Sequence, residues 1–218
     1  MSTTPIAPLH VAPFAYGLLF AVLVISIFGF FRSGFLAGAK LYPYEVARMR
    51  VVHGVFTASL VHTGWGHLMS NLLSAVFFVP EVEYMLVDDF KRPTGWAVFL
   101  LVFFGIALFS SVVAVMHYRA RPSYSTLGLS AVVFGMASFF YFYLPLDKNT
   151  FGGVISGNVR AYQMGCFGLV MLLLAIRYNV AKAAPIHFYG AVGGLVVAIF
   201  VRPALVGEIF AHVVGWWL

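Results

Sequence analysis

Leu127-Gly128-Leu129-Ser130-Ala131-Val132-Val133-Phe134-Gly135 sets one serine at the head of an apolar run that continues to Leu144. His187 opens a second apolar run, residues 185–201. Polar groups are costly inside a bilayer and mark function there by default. A serine is a poor nucleophile unless a base takes its proton. The two runs therefore read as membrane-spanning helices that carry a nucleophile and its base, each about one turn in from the same side.

The composition agrees. The chain is 62% hydrophobic and only 9% charged, with a mean hydropathy of +0.96, against about 25% charged residues in a soluble domain. This is an integral membrane protein. Its net charge of +6 is spread over short loops, which argues against a nucleic-acid partner and fits contact with lipid headgroups. The single cysteine, Cys166, excludes an intramolecular disulfide. Residues 1–12 hold no Lys or Arg and precede a stretch long enough to span, so no cleavable signal is expected.

A span needs about 20 mostly apolar residues. Six segments qualify: 13–31, 66–86, 94–116, 124–144, 162–176 and 185–201. Basic and Pro-containing loops punctuate them, such as Lys91-Arg92-Pro93 and Arg119-Ala120-Arg121-Pro122. The first loop, 32–65, mixes charge with Leu, Tyr, Val and Phe, as a segment lying in the interface does. The tail, 203–218, ends in Trp216-Trp217 and reads as an interfacial end piece. The expected fold is an all-α, six-transmembrane-helix bundle in one domain over 1–218, with its core at 55–201.

With six spans, the second, fourth and sixth helices begin on one face. His62 and His67 then lie at the head of helix two, Ser130 near the head of helix four and His187 near the head of helix six. No Asp or Glu shares the His187 span, so the pair is a dyad. Phe134, one turn below Ser130, is placed to stack on the imidazole. His67 and Asn71, at i and i+4, face the same spot and can donate to an oxyanion. His62 and backbone N–H groups near Ser130 are further donors. Gly190 and Gly194 give helix six a small face, and Gly128 with Gly135 a matching one on helix four.

His62-Thr-Gly-Trp-Gly-His67-Leu-Met-Ser-Asn71, Gly128-Leu-Ser130-Ala131 with Phe134-Gly135, and His187-Phe-Tyr-Gly190-Ala-Val-Gly-Gly194 together resemble the rhomboid intramembrane serine proteases. The resemblance runs in order through residues 55–201, and Glu83 matches an acidic position at the far end of that family's second helix. It implies Ser130 as nucleophile, His187 as base, and His67 with Asn71 as oxyanion donors. It also implies transmembrane protein substrates and no cofactor. Two positions depart from the pattern. Ala131 stands where a glycine usually follows the nucleophile, and His53-Gly54 stands where relatives carry a Trp-Arg pair.

Three rival readings are weaker. A metal site at His62, His67 and His187 lacks any carboxylate or cysteine to join it. A proton-relay transporter lacks acidic residues in every span but the second. A silent relative that only binds client helices has no need of Ser130, His187, His67 and Asn71 together. His212 also precedes a glycine at three residues, but it lies past helix six on the opposite side. His117 ends helix three on the site's side and is placed to assist.

The resemblance further implies a multi-pass protein of a bacterial inner membrane, with its amino terminus in the cytoplasm and its site toward the outside. The charges lean the other way. Five Lys or Arg fall inside under that arrangement and eight outside, against the positive-inside rule.

Overall fold

The computed structural model describes residues 6–147 and 159–215, so Lys148, Asn149 and the tail anchors Trp216 and Trp217 lie outside the described residues. Within them every regular element is a helix. The long helices are α1 (Pro13–Phe31), α5 (Trp65–Phe90), α6 (Thr94–Tyr118), α7 (Ser130–Tyr143), α8 (Ala161–Arg177) and α9 (Ala184–Val201). Short helices α2 (Ser33–Ala39), α3 (Pro43–Val46) and α4 (Gly54–Thr57), then a 3-10 turn at Ala58–Leu60, fill the segment between α1 and α5, and α10 (Ala204–Val214) follows α9.

Four of these helices, α1, α5, α6 and α9, are long and apolar enough to cross a membrane. The others fall short of the sequence expectation. At 14 residues, α7 rises about 21 Å, against an apolar core of about 30 Å. The expected span 124–144 loses its first six residues to a loop held by other parts of the chain. Leu41 and Thr126 exchange backbone hydrogen bonds of 3.0 and 3.1 Å, and the Gly128 N–H donates to the Ala58 carbonyl at 2.8 Å. Apolar content made this stretch look helical; pairing with a distant segment made it a loop.

The core runs between α1, α5, α6, α7 and α9 and includes Leu68, Val82, Phe99, Phe103, Val132 and Phe139. One carboxylate serves this packing. Glu83 is fully buried and accepts the N–H groups of Phe14 and Ala15, the latter at 2.6 Å. These are first-turn donors with no intrahelical acceptor, so α5 caps α1. Asp89 accepts the Tyr143 hydroxyl at 2.7 Å. Glu83 and Asp89 at this end of α5 are therefore structural. The same end holds the N-terminus of α1, the end of α7, the start of α8 and α10. The opposite end gathers the 32–64 segment, the loop 119–129 and the start of α9.

Candidate active site

Ser130 is the first residue of α7 and is half-buried. Its place follows from Gly128, whose φ of +113° lies where side-chain-bearing residues are strained. A Cβ there would sit 2.7 Å from His67 Cε1 and 2.8 Å from Nε2. Gly128 thus turns the chain into α7 and admits the His67 ring beside the turn. It does not belong to the α7–α9 contact, as its spacing from Gly135 had led us to expect, because it precedes the helix.

The α7–α9 contact is made by Gly190 and Gly194. A Cβ on Gly190 would run into the Ala131 carbonyl, and one on Gly194 into the Gly135 carbonyl. Small residues let the two backbones touch, as in tightly packed membrane helices. Ala131 also belongs to a second apolar cluster with Leu41, Ala58, Ala114, Tyr118 and Ile186.

The seam fixes His187. Its ring stacks on Phe134 at a centroid distance of 4.5 Å and an interplanar angle of 18°. Among the described residues no hydrogen bond joins Ser130 to His187. Catalytic contacts often tighten only when substrate is bound. On the neighbouring helix turn, His117 Nδ1 pairs with the Tyr189 hydroxyl at 2.8 Å, which leaves it a partner of α9 beside the pair.

His62 departs from expectation. It is fully buried, its Nε2 accepts the Leu129 N–H at 3.2 Å, and its Nδ1 lies 2.9 Å from Ser26 Oγ. Ser26 donates onward to the Leu60 carbonyl at 3.1 Å. These roles fix one tautomer, with the proton on Nδ1. In this geometry both ring nitrogens of His62 are engaged within the protein, and the ring is a strut that ties the residue before Ser130 to α1. Burial first, and then the neighbouring His67, push its pKa down to about 4.

His67 and Asn71 stay in reach of the cleft. His67 is half-buried, with Nδ1 3.3 Å from Thr63 Oγ1 and its ring edge-on to His62 at 4.9 Å. Asn71 is buried and donates one amide proton to the His67 carbonyl at 2.7 Å; its second amide proton remains. Far from this group, His212 meets Tyr162 at the other end of the bundle.

Sequence reasoning missed Ser26, which pairs with the strut. A serine in the middle of an apolar helix was the available signal. The His53-Gly54 departure is also explained. The His53 ring meets the Gly38 carbonyl at 2.8 Å and Thr57 donates to the Ala39 carbonyl at 2.9 Å. Ser111 on α6 donates to the Val55 carbonyl at 2.8 Å. The first loop is anchored without a Trp-Arg pair.

A helical integral membrane protein with a serine, a ring-stacked histidine and two further polar groups at one end of a glycine seam is thus defined. The Rhomboid domain family matches residues 49–204, and the chain belongs to the rhomboid family. Among its relatives is the Bacillus subtilis (strain 168) protein named "Putative rhomboid protease YdcA", 27% identical over 145 residues, 66% of this chain. The match spans 64% of that relative's own length, less than two thirds.

Proposed function

We propose that the chain is an intramembrane serine endopeptidase that hydrolyses peptide bonds in or near the transmembrane segments of other membrane proteins. Ser130 attacks the carbonyl, His187 takes its proton and later gives it to the leaving amine, and water resolves the acyl-enzyme. The oxyanion is met by His67, by the second amide proton of Asn71 and by N–H groups of the first turn of α7, which have no acceptor within the helix. Six helices cross the membrane in this reading: α1, α5, α6, α7, α8 and α9, with the short α7 leaving Ser130 below the surface. Residues outside the core face lipid.

The observation that carries the reading is the Phe134–His187 stack on a seam where two backbones touch. A histidine held by stacking on Phe134, one helix turn below the helix-leading Ser130, has the fixed ring orientation that a base needs. A cavity of about 270 Å³ between α5, α7 and α8, lined by Phe78, Val133, Phe134, Tyr141, Gly165 and Leu169, opens beside this stack. It suits an apolar side chain of a substrate segment entering between α5 and α8.

The test is cleavage of a model transmembrane substrate in proteoliposomes. Ser130→Ala and His187→Ala, with folding intact, should each lose activity by about a thousandfold or more. A native protein that cleaves none of several substrates and takes no fluorophosphonate at Ser130 would instead be a client-binding relative.

A further inference from the structure

The two residues that lead into Ser130 are held from outside their own helix. The Gly128 N–H donates to the Ala58 carbonyl at 2.8 Å, and the Leu129 N–H to His62 Nε2 at 3.2 Å. Both acceptors belong to the short segment 58–62, just ahead of α5. That segment is in turn fastened to α1 by one side chain. Ser26 Oγ donates to the Leu60 carbonyl at 3.1 Å and lies 2.9 Å from His62 Nδ1. Ser26 and His62 are both fully buried.

A serine within an apolar helix ordinarily bonds back to a carbonyl of its own preceding turn. Ser26 instead gives its proton to a carbonyl 34 positions away and keeps a lone pair for an imidazole 36 positions away. With its proton so directed, Ser26 can only accept from His62. Nδ1 therefore carries the ring proton, and Nε2 is left bare to accept from Leu129. Removing the Ser26 hydroxyl takes that constraint away. A ring with its proton on Nε2 would set a donor against the Leu129 N–H, and the backbone ahead of Ser130 would have to move. The same ring stands edge-on to His67 at 4.9 Å, so a shift of His62 reaches a second group of the cleft.

We propose that Ser26 is a positioning residue for the nucleophile. Through His62 it fixes the backbone that leads into Ser130, so that α1, which carries no group of the dyad, helps to set the dyad's geometry. This rests on the protease reading above and goes beyond it, since nothing in that reading involves α1. The helix is suited to the task because polar contacts hold it at both ends, Glu83 at its first turn and the Ser26–His62 pair near its other end. A packing role alone would make Ser26 interchangeable with any small residue; in the relay its hydroxyl is the element that matters.

The experiment measures how fast a fluorophosphonate labels Ser130 in detergent, with each protein held the same interval below its own Tm. Ser26→Ala is compared with Val22→Ala, which truncates a buried α1 side chain one turn away and takes no part in these hydrogen bonds. We expect Ser26→Ala to slow labelling by about tenfold to a hundredfold, the scale of a small misplacement of a reacting group. Val22→Ala should label at close to the native rate. Equal rates for the native protein and Ser26→Ala, or an equal slowing in both variants, overturns the proposal. Should Ser26→Ala fail to fold, Ser26→Cys keeps the volume, weakens both bonds and carries the same comparison. A second readout needs no activity. In NMR spectra of histidine labelled at its ring nitrogens, the His62 signals are assigned by their absence in His62→Gln. The native ring should show Nδ1 protonated and Nε2 bare, and Ser26→Ala should lose that fixed pattern. A native chain that takes no label, yet shows the fixed ring and loses it in Ser26→Ala, sinks the protease reading alone. A chain that labels while its His62 pattern survives Ser26→Ala sinks the role of Ser26 alone.

Discussion

The two sides of α7 are packed in opposite ways. Against α9, backbones touch at Gly190 and Gly194, and Gly190, Ala191, Gly193, Gly194 and Ala198 are all buried. Against α8, burial is confined to Ala161, Tyr162 and Gly165 at the far end. Gly165 there packs on the Phe142 ring, whereas nothing lies within 4 Å of a Cβ on Gly168 one turn later. Toward the Ser130 end, α8 shows Phe167, Val170, Met171 and Leu173 outward and a cavity inward. Chemistry demands that two side chains on different helices hold one geometry, which close packing supplies. Admission of a substrate demands a wall with room beside it, which close packing forbids.

The largest effect should come from breaking the tight side. Gly190→Leu drives a branched side chain into the Ala131 carbonyl, where neither backbone can yield without parting the helices. We expect at least about 3 kcal/mol of destabilisation, seen as a lower Tm in detergent, and loss of any cleavage. A Tm within error of the native one would refute the seam.

Removal of the strut is next. His62→Ala leaves the Leu129 N–H buried without an acceptor, a cost of about 1–3 kcal/mol, measurable by the same melts. The strut also sets a pH dependence. Its pKa of about 4 lies below the ordinary histidine value of about 6.5. The unfolded chain therefore binds the proton first. The contribution is complete above pH 6.5 and is lost as pH falls from 6.5 toward 4, at most about 3 kcal/mol. Melts of the native protein should show this acid slope, and His62→Gln should flatten it.

Phe134→Ala should cost about 1 kcal/mol of stacking. Its effect on cleavage should exceed its effect on Tm, because the ring orients the base; an equal loss in both would make Phe134 plain core. The smallest effect is expected on the loose side. Gly168→Ala meets open space and gains helix propensity, so stability should stay level or rise by up to about 1 kcal/mol, read as an unchanged or slightly higher Tm. A clear loss would mean that α8 packs more closely than the comparison holds.

The residues of the proposed site could be named from the sequence, for a reason these elements share. Ser130 with Phe134, and His187 with Gly190 and Gly194, stand at helical spacings within single apolar runs. Helix periodicity then gives their mutual faces without knowledge of any partner. The motifs also carried the family. What was not legible depended on contacts between segments far apart in the chain. His62 reaches Leu129 across 67 positions, and whether its ring donates or accepts is decided by that partner and by Ser26. The head of α7 was misplaced because Leu127 and Leu129 extend the apolar run back past Ser130.

The sequence by itself determined that this chain lives in a membrane and that its spans are helices, and it offered the serine and histidine of the proposed dyad. Composition and period suffice for that, since a bilayer leaves the backbone few ways to satisfy its own hydrogen bonds. Only the tertiary structure decided where α7 begins, what His62 does and to which end the first loop is fastened. Each of these is settled by a loop meeting another loop, and loops carry no period from which a partner can be read.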